Sequence, residues 1–130
     1  MENLNYGIIG NCRSAALVSD NGTIEWACLP GFDSSSVFAS ILDKNRGGHF
    51  GIEVDEKYTI TQKYVRNTNI LLTTFTSAEG AFELNDFMPR YRTKDNGYYN
   101  PPDIIRYLKL VSGKPAFRIR YNPRLEYATY

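Results

Sequence analysis

Among the residues of this 130-residue chain that could do acid–base, nucleophilic or metal chemistry are fourteen carboxylates, one histidine and two cysteines. A hydrolytic carboxylate pair needs two groups facing one another across a cleft, one as acid and one as base or nucleophile. Glu83 and Asp86 stand three apart in a strand-like run, which sends them to opposite faces. Asp55 and Glu56 precede Lys57 in a turn-like segment and read as solvated charges. No pair stands out, so no catalytic residue is assigned. His49 follows Gly47-Gly48 with no acid or cysteine beside it, and reads as a strand residue rather than a base. Cys12 and Cys28, with a single histidine, cannot supply a zinc site, and they read as structural thiols. The carboxylates lack the spacing of a metal loop, and Gly7-Ile8-Ile9-Gly10 lacks the third glycine and the helix of a dinucleotide loop. Neither metal nor cofactor is expected.

Binding chemistry is better represented. Pyranose rings offer C–H faces to aromatic side chains, while Asp, Asn and Arg take their hydroxyls. Trp26 is the single indole, and core packing competes with a platform role for it. Tyr91, Tyr98 and Tyr99 lie in or beside a polar stretch with Arg90, Arg92 and Asp95, and read equally as platform or as surface. Fifteen basic against fourteen acidic residues leave a net charge of +1, so neither nucleic acid nor an anionic membrane is expected as partner. No run approaches the roughly twenty apolar residues of a membrane-spanning helix. The start, Met1-Glu2-Asn3-Leu4-Asn5, lacks the basic and apolar regions of a secretory signal, which predicts a soluble, cytoplasmic protein.

These residues must be positioned by strands. Short runs of Val, Ile, Thr, Tyr and Phe recur between Gly, Asn, Asp and Pro clusters, the pattern of an all-β chain. Residues 14–19 and 23–29 flank Asp20-Asn21-Gly22 and predict a tight hairpin, which also makes the Asn21-Gly22-Thr23 sequon a turn. Phe50, Ile52 and Val54 alternate with polar neighbours, residues 58–64 continue that alternation, and 70–76 pairs with 81–88 across the link Ser77-Ala78-Glu79-Gly80. A further hairpin is expected from 104–112 and 116–122 across Gly113-Lys114-Pro115, with Arg118 and Arg120 on its solvated side. Residues 89–102 read as a long loop without regular structure. One short helix is expected over 36–42, capped by Asp33, Ser34 or Ser35, with Val37, Phe38, Ile41 and Leu42 as its apolar residues. About eight strands in successive hairpins predict a two-layer antiparallel β-sandwich.

The segment from Ile9 to Ser19, then Gly22-Thr23-Ile24-Glu25-Trp26 and Cys28-Leu29-Pro30-Gly31-Phe32-Asp33-Ser34, resembles the opening of glycoside hydrolase family 15, whose members include glucoamylases and trehalases. Tyr64-Val65, Asn67-Thr68-Asn69-Ile70-Leu71, Asp86-Phe87-Met88-Pro89, Ile105-Arg106 and Pro123-Arg124-Leu125-Glu126-Tyr127 extend the resemblance over nearly the whole chain. It implies a supersandwich-like N-terminal domain that precedes and packs against a catalytic barrel of paired helices. The acid and base carboxylates belong to that barrel, and no segment here has its length or helical pattern. Residues 1–130 are therefore expected to be one sandwich domain, or the N-terminal part of one with Tyr130 inside it: a hydrolase fragment lacking the catalytic carboxylates.

In that picture the turns around Arg13 and Phe32-Asp33-Ser34 approach the barrel. Arg13 and Asp33 would offer charged hydrogen bonds and Trp26 an apolar surface to an α-glucoside or trehalose; the alternative is that Arg13 and Asp33 brace the hairpin. An accessory domain that shapes the sugar cleft without cleaving bonds is the first expectation. An independent carbohydrate-binding module using the tyrosine loop from Tyr91 to Tyr99 as its platform, with Tyr98 and Tyr99 as its contacts, or a purely structural interface, stands beside it. An unpaired sheet edge predicts homodimerisation.

Overall fold

A computed structural model describes residues 5–128. The expectations that concern residues 1–4 and Tyr130 fall outside them. The described chain forms strands β1 (Tyr6–Gly10), β2 (Ala15–Ser19), β3 (Ile24–Cys28), β4 (Ser36–Phe38), β5 (His49–Glu53), β6 (Thr59–Tyr64), β7 (Leu71–Ser77), β8 (Gly80–Phe87), β9 (Tyr91–Arg92), β10 (Tyr98–Tyr99), β11 (Ile105–Gly113) and β12 (Arg118–Asn122), then a 3-10 turn at Leu125–Ala128. Antiparallel pairing builds one sheet in the order β1-β2-β3-β5-β12, with β4 beside β3, and a second in the order β11-β8-β7-β6. No described helix is long and apolar enough to cross a membrane.

Period-two alternation explains how the two sheets form a sandwich. Ile9, Ala16, Val18, Ile24 and Ala27 of the first sheet close against Leu71 and Met88 of the second sheet and the segment that follows it. Ile52 of β5 closes against Phe75, Phe82 and Leu84, with Phe75 and Phe82 stacked at 4.6 Å between ring centroids. Each phenylalanine buried this way contributes roughly 1.5–3 kcal/mol. The expected hairpin between β2 and β3 is present: Gly22 adopts a φ of 83°, its N–H donates to Ser19 O at 3.0 Å, and Ser19 N–H donates to Thr23 O at 2.8 Å. Between β7 and β8 the register continues to Ser77 and Gly80, leaving only Ala78 and Glu79 as the loop.

Three expectations are corrected. Residues 36–42 are not a helix; Ser36–Phe38 is a strand against β3, followed by turns. Phe38 enters the core, whereas Leu42 stays 71% exposed, so no common apolar face exists for a helix to bury. Ala39 and Ser40 instead donate to Gly47 O and Gly48 O, and Ile41 donates to Glu25 O. About two helical turns do not hold alone, and β3 offers a ready ladder. Next, β11 and β12 do not pair with each other. β11 lies on β8 and β12 on β5, so the chain crosses from one sheet to the other between them. Lys114 N–H donates to Glu79 O at 2.9 Å and Ala116 N–H to Tyr58 Oη at 2.9 Å, which turns the chain away from a hairpin return. Finally, the 89–102 loop contains regular structure, because Asp95-Asn96-Gly97 closes a small β9–β10 hairpin with Asn96 at a φ of 64°.

A buried guanidinium, ion-paired within its own sheet, clamps the two sheets. Arg106 of β11 donates from Nε to Asp86 Oδ1 at 2.7 Å and from Nη2 to Oδ2 at 3.1 Å. It also donates from Nη1 to Phe50 O at 2.7 Å and from Nη2 to Gly22 O, and it lies over the Phe50 ring at 4.8 Å. Both side chains are essentially excluded from solvent. At the β1 edge, Tyr64 Oη accepts from Ile8 N–H at 2.8 Å and donates to Ile8 O at 2.9 Å, so β6 covers that strand.

Candidate functional site

Three connections meet at one end of the sandwich: residues 11–14 between β1 and β2, 29–35 between β3 and β4, and 88–104 between β8 and β11. The side chain that joins them is Asn11, buried at 2% exposure. Its Oδ1 accepts from Arg13 N–H at 3.1 Å and Ser14 N–H at 3.2 Å, an Asx-type turn that holds Cys12 at a φ of 71°. Its Nδ2 donates across the molecule to Pro101 O at 2.8 Å and Pro89 O at 3.2 Å. Asn100 Nδ2 returns a bond to Asn11 O at 2.5 Å. Every polar atom of a buried amide is thus engaged, which fixes the long loop against the first hairpin.

Arg13 projects from this hub with its side chain exposed, and Nη1 reaches Asn100 O at 3.4 Å. Its carbonyl accepts from Phe32 N–H at 3.2 Å, which brings the 29–35 loop alongside. In that loop Ser34 N–H donates to Gly31 O at 3.0 Å and Gly31 N–H to Ser34 Oγ at 3.1 Å, a closed turn that leaves Phe32 and Asp33 exposed at its tip. Ser14 Oγ donates to Cys28 O and ties the base of this loop to the same hub. Arg13 and Asp33 therefore share one end of the fold, although no direct bond links their side chains.

Tyr98 and Tyr99 occupy the same loop system on the β9–β10 hairpin. As successive strand residues they point to opposite faces and form no common platform. Arg90 lies over the Tyr98 ring at 4.0 Å, and Arg92 Nη2 donates to Tyr98 Oη at 3.3 Å. Tyr99 meets Tyr91 at 5.2 Å with rings inclined by 60°, and all three tyrosines are about half exposed. The Asp95 carboxyl is held below its usual range, first by the Thr93 hydroxyl and then by the backbone amides of Asp95 and Gly97, so it serves the turn.

Trp26 lies elsewhere. It is half buried on the outer face of the first sheet, in a cross-strand row with Leu17 and Ile8. A groove of about 420 Å³ adjoins the hub, lined by Asn11, Cys12, Asn69, Met88, Arg90 and Tyr91. Burial raises the Cys28 thiol above its ordinary value. Among the described residues no group of three or more His, Cys, Asp or Glu is placed to hold a metal. Asp86, inward and paired, and Glu83, on the outer face of β8, are separated as expected. What the sequence reading did not reveal is Asn11; its signal is the Asx-turn pattern of Asn11 ahead of Ser14, which by itself says nothing of its partners 78 and 90 residues away.

The profile described as trehalase-like, N-terminal matches residues 4–130. The chain is 39% identical over 126 residues to a trehalase of Thermoplasma volcanium, covering 94% of this chain and 20% of that protein. It is 48% identical over 84 residues to trehalase 1 of Sulfolobus acidocaldarius, covering 64% of this chain and 14% of that protein. A trehalase of Mycolicibacterium smegmatis is 34% identical over 85 residues, covering 62% of this chain and 12% of that protein. The chain spans about a fifth or less of the length of these curated relatives. No solved structure matches it.

Proposed function

This chain belongs to the trehalase-like N-terminal family, and from that premise we propose that it is the accessory sandwich of a trehalase-like hydrolase. The rest of a longer polypeptide supplies the catalytic part, and the loop end centred on Asn11 borders the sugar cleft. One observation carries this reading: a single buried amide brings Arg13, the Phe32-Asp33 tip and the tyrosine hairpin to one end, where charged donors and acceptors stand exposed. Guanidinium and carboxylate groups at such a rim hydrogen-bond sugar hydroxyls, and trehalose is the sugar named by the relatives. The outer row of Ile8, Leu17 and Trp26 gives the sandwich an apolar face to lay against that catalytic part.

The test combines this chain with Thermoplasma volcanium trehalase lacking its matched N-terminal fifth. Association and restored trehalose hydrolysis are expected, with no hydrolysis by the chain alone. In the restored complex, Arg13→Ala and Asp33→Ala each lower kcat/KM about tenfold. Hydrolysis by the isolated chain, or unchanged kinetics in both variants, refutes the assignment.

A second reading, an independent sugar-binding module, is favoured by the exposed Tyr91–Tyr99 pair. Calorimetric titration of the isolated chain with trehalose and glucose oligomers decides it: saturable binding lost in Tyr99→Ala supports this reading, and no heat change removes it.

A further inference from the structure

We propose that the free edge of β12 is a strand-addition site for an extended segment of the longer polypeptide in which apolar residues alternate with acidic ones. The inference rests on the reading of this chain as the N-terminal part of a larger hydrolase. Among the described residues β12 pairs only with β5, so one side of its backbone has no ladder partner. At the opposite end of the same sheet, β1 is covered by Tyr64. Among the described residues no side chain bonds the open edge of β12 in that way.

The side chains of β12 show what kind of strand it lacks. Phe117, just before the strand, packs on Phe82 at 4.7 Å, and Tyr121 packs on Phe50 at 5.0 Å, so these residues belong to the inner face. Ile119 stands opposite Ile52, which is 6% exposed, yet Ile119 itself is 52% exposed. This is a core face lacking its neighbour. A strand laid beside β12 would bury it with apolar residues at every second position.

The outer face sets the charge. Arg118 stands opposite Glu53 in register while the ion pair to the Glu53 carboxylate comes from Arg120 Nε, so β5 offers one acid to a strand that carries two arginines on this face. From Ile104 to Leu125 the chain holds six basic residues and no acidic one. Opposite charges directly across strands stabilise, and like charges destabilise. A second copy of β12 is therefore a poor occupant. Any antiparallel register that keeps Phe117, Ile119 and Tyr121 inward sets an arginine against an arginine when centred on residues 118 to 120. Carboxylates at the outward positions of the incoming strand would instead continue the Glu53 ladder.

The test titrates the 130-residue chain with a synthetic strand of about nine residues alternating valine with glutamate, and with the same peptide carrying lysine for glutamate. The acidic peptide is expected to bind about tenfold more tightly, with the preference shrinking at high salt. Amide exchange should slow at Arg118–Asn122 on binding. In the double variant Arg118→Gln, Arg120→Gln the two peptides should bind alike, while far-UV circular dichroism stays unchanged. Equal affinities for the parent protein, no saturable binding, protection confined to another edge, or a dimer protected at β12 would each overturn the proposal. Assembly with the catalytic part of a relative is measured separately, so its success alongside failure here would remove this inference alone.

Discussion

Removing the Arg106 guanidinium by Arg106→Ala should cost about 3–5 kcal/mol, because it strands a buried carboxylate. Asp86 is fully buried, and Arg106 also satisfies Gly22 O and Phe50 O on the facing sheet. The loss is thus an ion pair and two inter-sheet bonds. In a domain of this size each kcal/mol lowers the melting temperature by roughly 3–4 °C, giving a fall on the order of 10–20 °C. Thermal and urea unfolding followed by circular dichroism and Trp26 fluorescence would read it. The double variant Asp86→Leu, Arg106→Met should recover part of the loss, because no charge is left unpaired.

Arg106→Ala also carries a pH signature. Burial pushes the Asp86 carboxyl up from its ordinary value, against the opposing pull of Arg106. Its folded-state pKa therefore lies above the unfolded one, and its contribution to stability is fully present below the unfolded value and lost as pH rises through the folded one. Without Arg106 the folded value rises further. The penalty in Arg106→Ala should shrink as pH falls toward the carboxylate range and grow toward neutrality. A variant within about 1 kcal/mol of the parent at pH 7, or a penalty that grows on acidification, would refute the clamp.

Three other outcomes are expected. Asn11→Ala should cost about 2–4 kcal/mol by leaving Pro101 O and the Arg13 and Ser14 amides without their partner, with loss of exchange protection at Ser14 as the direct readout. Glu79 is held below its usual range first by Lys57 and then by Tyr58, so its contribution is present above its unfolded pKa and lost as pH falls through the folded one; Glu79→Gln should flatten the acid side of the stability profile. Gly22→Ala should destabilise by about 1–2 kcal/mol, since a φ of 83° resists a side chain and a Cβ would stand 3.1 Å from Leu84, as measured by the urea midpoint.

Residues close in sequence were readable wherever a local rule is enough. Asp20-Asn21-Gly22 specifies its hairpin because positive φ is needed at one place, and the alternation in β5, β6, β7 and β8 sorts side chains to two faces without knowledge of the neighbours. The same alternation in β12 was legible, but not its partner strand, because the turn Gly113-Lys114-Pro115 is redirected by Glu79 and Tyr58 from elsewhere. Residues 36–42 met the composition of a short helix, and only the open edge of β3 made a strand cheaper.

The chain by itself therefore determined its class, the β2–β3 and β7–β8 hairpins and its family, since these follow from period, turn chemistry and motif order. Tertiary structure decided that Arg106 clamps two sheets, that Asn11 gathers three loops, that Trp26 faces outward from the first sheet, and that Tyr98 and Tyr99 point apart. The first two depend on polar atoms finding partners far along the chain once burial removes water as an alternative, a pairing that sequence spacing does not encode; the last two follow from strand pairings that set which face each residue takes.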